Sequence, residues 1–436
     1  MTRARTWLTW FIRYGIPGFA IRTAARRGDL IARSAVDRAA VENPAALYDE
    51  LRALGPVGGN KLVGASAHHA VVNEILRSDA FFANPGGAPT KTLDRILTRA
   101  IDPRALGPVD IPSLLAIHPP QHARIRRLVT HAFTPKAIAG YTETIRAIAN
   151  ELLDRAEAKG GEFDLVADYA TPLPVKVIAD IIGIPAESHN DVLRVSNEAA
   201  LTLDPALSWR QFRSADAAIR EANVMLDDHI ADLRRNPGDD LLSELVRITD
   251  NGERLSDEEL RVNTLLLLGA GFETTVNLIG NAVALLTDHR DQLEVLQSDP
   301  SGWPNAVDEV LRYDSPVQVT IRVANRETEV AGVPVPEGRA FVLMLGAANR
   351  DPEVFADAGR FDVTRADARL HLAFSAGIHY CLGAQLARLE AAIALETLFD
   401  RFPDLAIAGT PVRRSTRVLH GFEHLPVTSV PATVLG

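Results

Sequence analysis

Apolar residues recur every three or four positions along much of the chain, a spacing that gives an α-helix one apolar face. In residues 141–160, Ile145, Ile148, Leu152 and Leu153 follow this spacing, and a pair of glycines ends the stretch. Glycine is common just beyond a helix because it tolerates the left-handed conformation. The pattern therefore predicts one helix that ends at this pair of glycines.

A second, longer helix is predicted by the stretch LSDEELRVNTLLLLGAGFETTVNLIGNAVALLTDHR. Ser256 can accept a hydrogen bond from the first turn, and Glu259 stands three residues later, which is the spacing of a capping box. The residues that follow are mostly apolar. We expect a long helix that is buried over most of its length.

Short β-type runs with glycine and proline turn signals occupy residues 328–352, which predicts a small sheet between the later helices. No repeat of fixed period and no low-complexity linker divides the chain. We therefore expect a mainly α fold with minor β, in which residues 37–436 form one large domain behind an N-terminal segment, residues 1–36.

The N-terminal segment is basic and amphipathic. It carries seven arginines and one aspartate, interleaved with Trp7, Trp10, Phe11, Tyr14 and Phe19. Its apolar runs are too short to span a bilayer and lack the continuous core of a signal peptide. We expect its aromatic residues to pack on the protein's own core, and contact with a membrane surface is the alternative.

The composition reduces the number of function classes that fit this chain. The formal net charge of −10 argues against general nucleic-acid binding, which usually needs a basic surface. A single cysteine permits no intrachain disulfide, so nothing requires an oxidising compartment and we expect the cytoplasm. Small-molecule chemistry becomes the favoured class.

The one cysteine, Cys381, precedes an amphipathic helix marked by Leu382, Leu386, Leu389 and Ile393. The positive potential at a helix N-terminus lowers the pKa of a thiol and favours a thiolate that can bind a metal. Nearby glycines leave backbone that a large flat group can approach. A buried, inert thiol is the alternative for any lone cysteine.

The surrounding residues resemble the cysteine-ligand loop of the cytochrome P-450 monooxygenases, in the positions Phe374, Gly377, His379, Cys381 and Gly383. The resemblance implies a haem b cofactor whose iron is bound by the Cys381 thiolate, and contacts to the haem from the other four residues. Ser375 departs from the family pattern, which most often has glycine there.

The stretch AGFETT in the long helix is similar to the oxygen-binding segment of the same family. The resemblance implies that Ala270 and Gly271 lie against the haem, with Gly271 giving room, and that Glu273 and Thr274 are the catalytic acid and alcohol. A buried acid and hydroxyl are costly unless they gain partners. For Thr274 alone, a hydrogen bond to its own helix is the simpler interpretation.

The resemblance also implies roles for two groups of charged residues. The haem propionates are expected to meet His122, Arg126, Arg322 and His379. Glu309 and Arg312, one helical turn apart, are expected to form a buried scaffold with Arg360 of the GRFD stretch.

The resemblance implies a single helical haem domain of the P-450 fold that uses dioxygen to oxidise an apolar organic substrate. Electrons are expected from a ferredoxin and a ferredoxin reductase. Within the family, the motifs look most like the soluble actinobacterial branch, in particular mycobacterial family one-hundred-and-forty. Substrate contacts are expected in residues 83–117, 201–207 and 317–319 and beside Thr275. A peroxide-driven peroxygenase and a haem-based sensor or carrier without turnover remain as alternatives.

Overall fold

The structure is a computed structural model that describes residues 3–83, 102–247, 249–250 and 253–429. Its α-helices are α1 (Arg3–Trp10), α2 (Ile16–Arg26), α3 (Leu30–Val36), α4 (Arg38–Glu42), α5 (Tyr48–Arg52), α6 (His69–Arg77), α7 (Gln121–Thr130), α8 (Pro135–Gly140), α9 (Thr142–Ala158), α10 (Pro172–Ile182), α11 (His189–Ala200), α12 (Trp209–Arg235), α13 (Leu241–Arg247), α14 (Asp257–Asp288), α15 (Arg290–Ser298), α16 (Trp303–Tyr313), α17 (Leu345–Ala348) and α18 (Ala384–Arg401).

The strands are short and lie between or after the helices. They are β1 (Gly58–Gly59), β2 (Val63–Ser66), β3 (Phe81–Ala83), β4 (Glu162–Asp164), β5 (Thr249–Asp250), β6 (Glu253–Arg254), β7 (Val319–Ala324), β8 (Thr328–Val330), β9 (Val333–Val335), β10 (Ala340–Met344), β11 (Ala406–Ile407), β12 (Val412–Arg413), β13 (Phe422–His424) and β14 (Pro426–Thr428). The predicted mainly α class with minor β is confirmed, and β8, β9 and β10 lie in the stretch that predicts a sheet.

Both predicted helices are present. Helix α9 ends at Ala158, two residues before Gly160, whose φ is +88°. At the start of α14, the Ser256 hydroxyl accepts from the Glu259 amide at 3.1 Å, and the Glu259 carboxylate accepts from the Ser256 amide at 2.9 Å. The capping box is therefore formed in both directions.

Helix α14 is the centre of the helical core and packs against α10, α11 and α18. By length and composition it could cross a membrane, but 67% of its most apolar window is buried inside the protein. Such burial is typical of a core helix in a folded domain. This helix also carries the Glu273–Thr274 pair.

The largest sheet has the strand order β1–β2–β10–β7–β3. Strand β10 runs parallel to β2 and antiparallel to β7, and the register sets Arg322 opposite Phe341. On the other side of β7, Arg322 is opposite Ala83. Arg322 is thus held in a central strand, where it is buried.

In the N-terminal segment, a π-helical turn at Phe11–Gly15 joins α1 to α2. The Trp10 indole donates to the Leu207 carbonyl at 2.9 Å, and the Tyr14 hydroxyl donates to the Thr202 carbonyl at 3.1 Å. The expectation of packing on the core holds for these two residues. It is wrong for the exposed side chains of Trp7, Phe11 and Phe19.

Candidate functional site

The loop before α18 turns sharply to present Cys381. The Cys381 amide donates to the Phe374 carbonyl at 2.9 Å, which closes the loop. Gly377 has φ +68°, and a Cβ there would lie 2.5 Å from the Leu76 carbonyl oxygen, so no side chain fits. Ser375, at the position of the family's usual glycine, also adopts a positive φ, +63°. The loop conformation is thus kept despite the backbone strain of a left-handed serine.

The Cys381 side chain is reachable by solvent, yet the surrounding protein raises the pKa of its thiol. The Gly383 amide, which donates to the sulfur, and the guanidinium groups of Arg126 and Arg388 act in the opposite direction. These groups act in the direction expected of a helix N-terminus, but the net effect of the surrounding protein is a raised pKa of the Cys381 thiol. A coordinated metal ion deprotonates a thiol directly.

Two arginines from neighbouring helices contact the Cys381 loop. Arg126 of α7 donates to the Tyr380 carbonyl at 2.7 Å. The Arg388 guanidinium of α18 lies 4.6 Å from the centre of the Phe374 ring and pairs with Asp308 at 2.6 Å. Arg126 thus contacts the loop at Tyr380 and Arg388 contacts it at Phe374, while the predicted haem contacts of Arg126 and Phe374 stay predictions.

Basic side chains gather beside the loop. The rings of His122 and His379 are 4.6 Å apart, and the rings of His118 and His379 are 6.4 Å apart. Arg322 is 4% exposed and donates to neutral groups only, one of which is the Ser375 hydroxyl at 3.4 Å. Of the four residues predicted to hold propionates, three thus lie close to one another and the fourth, Arg126, holds the loop.

Nothing acidic balances this cluster among the residues that the structure describes. Burial, with the neighbouring cations, lowers the pKa of His122 to about 4 and that of His379 to about 3. Burial alone lowers the pKa of Arg322 to about 10. The Nε2 atoms of His122 and His379 are buried without a hydrogen-bond partner. Buried donors without partners are costly, so the cluster fits a group that brings carboxylates to it.

The acid and the alcohol of α14 have different partners. The Glu273 carboxylate pairs with Arg414 at 2.7 Å, and its second oxygen is buried without a partner. Burial raises the pKa of this carboxyl, and Arg414 lowers it in part. The Thr274 hydroxyl donates to the Ala270 carbonyl at 3.0 Å, and the Thr275 hydroxyl donates to the helix in the same way.

Gly271 has a packing reason to be glycine. A Cβ there would lie 2.9 Å from Cγ1 of Ile178 in α10, so the missing side chain lets the two helices approach. This packing role stands beside the expected role of Gly271, room over the haem, which stays a prediction. Ala270, one residue earlier, contributes its carbonyl to the Thr274 hydroxyl.

The scaffold forms, but with a different third member. Glu309 and Arg312 are fully buried and pair through two hydrogen bonds of 2.7 and 2.8 Å. The third guanidinium is that of Arg365, 3.4 Å from Glu309 and 9% exposed. The Arg360 side chain is 66% exposed, and only its backbone carbonyl accepts from Arg312. The prediction of Arg360 is wrong because the turn carries its side chain outward.

Three functional candidates were missed from the sequence: His118, Arg365 and Arg414. His118 stands four positions before His122, a spacing that could have indicated a shared surface. Arg414 follows β12 and is far from α14 in the sequence, so only the folded structure shows that it pairs with Glu273. Most of the substrate stretch predicted at 83–117, residues 84–101, lies outside the described residues.

The chain matches a sequence model of the family Cytochrome P-450 over residues 175–299 and 304–417. It is 43% identical to cytochrome P-450 140 of Mycobacterium tuberculosis over 428 residues, 98% of each chain. It is 39% identical to 6-deoxyerythronolide B hydroxylase of Saccharopolyspora erythraea, over 87% of this chain and 94% of that one. The structure of P450BioI, bound to acyl carrier protein carrying hexadec-9Z-enoic acid, matches with 33% identity and a TM-score of 0.82, over 90% of this chain and all of that one. This chain therefore belongs to the cytochrome P-450 family, whose members carry haem b on a cysteine thiolate.

Proposed function

We propose that this P-450 enzyme inserts one oxygen atom of dioxygen into a large apolar organic molecule, with Cys381 as the iron ligand. The observation that carries the proposal is the joint placement of the only cysteine and of an unbalanced basic cluster around one loop. When bound, haem supplies the iron on which dioxygen is activated, and the thiolate supplies the electron density that favours O–O cleavage.

The basic cluster fits the two propionates of that cofactor. His122, His379 and Arg322 would donate to them, and Arg126 would hold the loop at Tyr380 while adding positive charge near the sulfur. His118 is the further member that the sequence reasoning missed. Phe374, Gly377 and Gly383 would shape the loop against the cofactor, and Ala270 and Gly271 are proposed to line its other side.

Thr274 and Glu273 are proposed to control protons. The Thr274 hydroxyl, which already uses its own proton on the Ala270 carbonyl, keeps lone pairs free to accept from a water molecule. Glu273 lies one residue away with one unpartnered oxygen. Arg414 fixes the other oxygen, so we propose it as the positioning residue for the acid.

The alternatives use the same cofactor differently. In a peroxide-driven enzyme, hydrogen peroxide supplies both the oxygen and the protons, so a positioned acid and alcohol are not needed. This chain has such a pair in Glu273 and Thr274. A sensor or carrier needs no route for protons at all. The retained pair therefore favours turnover with dioxygen.

Electrons and location belong to the same proposal. A ferredoxin and a ferredoxin reductase are proposed as donors, in the cytoplasm. The substrate is proposed to be large and apolar because the relatives named above act on 6-deoxyerythronolide B or are bound to a carrier with a sixteen-carbon acyl chain. A long-chain acyl group and 6-deoxyerythronolide B are the two ligands to test first.

The test is turnover with labelled dioxygen. Purified holoenzyme is first screened for ligands that shift the haem spectrum, and each hit is incubated with ferredoxin, reductase, reduced nicotinamide and ¹⁸O₂. One labelled oxygen in the product supports the proposal. Product formed with hydrogen peroxide alone, or binding without any product under either condition, would replace it with one of the two alternatives.

A further inference from the structure

Exposed apolar side chains are concentrated near the N-terminus. Of the fifteen large hydrophobic residues that are exposed in the described parts of the chain, five lie between positions 7 and 19. They are Trp7 (44% exposed), Leu8 (49%), Phe11 (38%), Ile16 (52%) and Phe19 (70%), and we call them the apolar stripe. The rings of Trp7 and Phe11 stack at 4.9 Å, so the stripe presents a continuous surface there.

The opposite side of the same helices already packs on the protein. Trp10, Tyr14 and Gly18, each four positions apart, face the core. A Cβ on Gly18 would lie 3.3 Å from the Cα of Ala206, which shows how closely α2 approaches the loop between α11 and α12. The N-terminal segment is therefore docked on the protein through one side, and the apolar stripe lies on the side that faces away from the core.

The stripe is flanked by positive charge. Arg22, Arg26 and Arg27 are exposed, and none of them forms an ion pair within the part of the chain that the structure describes. The Arg22 guanidinium lies beside Gly18, at the border between the docked side and the apolar stripe. The first acidic residue of the chain is Asp29. Residues 1–36 carry a net charge of +6 in a chain whose net charge is −10, so the rest of the chain is strongly acidic.

We infer that the apolar stripe and these three arginines form a surface that binds an anionic lipid bilayer from the side. Aromatic and aliphatic residues beside arginines are the composition of helices that lie in the membrane interface. The long arginine side chains can reach lipid phosphates while the apolar rings enter the acyl boundary. The acidic remainder of the chain would be repelled, which leaves this face as the one that turns to the bilayer.

A second copy of this chain fits the same surface less well. A two-fold symmetric interface buries the same patch of both copies, so it would bring the three arginines of each copy into one interface. Like charges brought together oppose association. A bilayer with negative headgroups meets both the apolar and the charged part of the surface.

The test is vesicle binding by the full-length holoenzyme at low and high salt. We expect co-sedimentation with vesicles of phosphatidylglycerol and phosphatidylcholine, weak binding to pure phosphatidylcholine, and loss of binding as salt rises. Each arginine near a membrane surface contributes about 1 kcal/mol, roughly fivefold in affinity, so Arg22→Gln, Arg26→Gln and Arg27→Gln together should weaken binding by about 100-fold. Phe19→Ser should weaken it by about tenfold.

Two controls remove the same chemistry elsewhere. Leu62→Ser changes an apolar residue that is 79% exposed in the turn between β1 and β2. Replacing three exposed arginines of other helices, Arg155, Arg234 and Arg235, with glutamine removes the same charge. Both controls should bind like the unaltered protein, and all variants should keep the haem spectrum.

Two kinds of result would overturn the inference. One is failure of the unaltered holoenzyme to bind anionic vesicles, or equal binding by the stripe variants and the controls. The other is a dimer in gel filtration that Phe19→Ser converts to a monomer, without vesicle binding by either form. That outcome would assign the stripe to self-association.

Discussion

Removal of the Arg312 side chain should strongly destabilise the enzyme and reduce its haem content. The Arg312 and Glu309 side chains are both fully buried. Three further hydrogen bonds run from the guanidinium to the carbonyls of Asn349, Ala358 and Arg360, at 3.1, 2.9 and 3.0 Å. One side chain thus joins α16 to the segment between α17 and α18.

The magnitude follows from what Arg312→Ala leaves behind. Breaking a buried ion pair on one side costs about 3–5 kcal/mol because the remaining charge stays buried. Glu309 would keep the Asp362 amide at 2.9 Å and Arg365 at 3.4 Å, which offsets part of that cost. The three carbonyls lose donors worth about 1 kcal/mol each where water cannot replace them. We expect a loss of about 4 kcal/mol, a large share of the 5–15 kcal/mol typical of folded proteins.

The assay is urea unfolding of the holoenzyme, with haem content measured on the same samples. Arg365→Ala should cost about 1–2 kcal/mol, since its contact with Glu309 is longer and its other partners are backbone carbonyls and, at 3.7 Å, the Asp367 carboxylate. Arg360→Ala is the matched control in the same segment, and its exposed side chain should matter by less than about 0.5 kcal/mol. A cost for Arg360→Ala as large as that for Arg365→Ala, or a cost below about 1 kcal/mol for Arg312→Ala, would refute this reasoning.

Three further outcomes concern protons. Thr274→Ala should keep the haem spectrum and ligand binding but divert electrons to hydrogen peroxide, because positioned proton transfer contributes about 10²–10⁴-fold; unchanged product per electron would remove Thr274 from the proposal. Arg414→Gln should raise the pKa of Glu273 further, since Arg414 is the group that lowers it, so the limb of the pH–activity curve that Glu273 sets should move to higher pH, while Glu273→Gln abolishes that limb. The apoprotein should lose stability to urea as the pH falls from about 6.5 toward 4, because the unfolded chain then binds protons that folded His122, with a pKa of about 4, and His379, at about 3, do not. The holoenzyme should lose less, and an equal loss in both forms would argue against propionates at these histidines.

The elements that the sequence predicts well are those fixed by local pattern. Helix α9 follows its apolar spacing, and α14 begins where the Ser256 capping box requires. The Cys381 loop can be recognised from the sequence because Gly377, Cys381 and Gly383 lie close together in the chain. Local rules suffice where the residues that decide the structure are close in the chain.

The misassigned residues depend on the path of loops and on depth of burial. Arg360 and Arg365 stand in one irregular segment, and only the turn around them decides which side chain enters the core. Arg414 reaches Glu273 from a distant part of the chain. The raised pKa of Cys381 is a net result of desolvation by the surrounding protein and of the opposing Gly383 amide and nearby guanidinium groups, and no pattern of residues reveals that balance.

The central claim is that Cys381 binds haem iron as a thiolate, and the spectrum of the reduced protein with carbon monoxide tests it most directly. We expect the red-shifted Soret band of thiolate-bound haem in the unaltered protein, and its loss in Cys381→Ser, because a serine hydroxyl is a far poorer anionic donor. Serine keeps the size and the hydrogen-bonding capacity of the side chain, so the loop should still fold. Retention of the red-shifted band in Cys381→Ser, or its absence from the unaltered haem-loaded protein, would contradict the account.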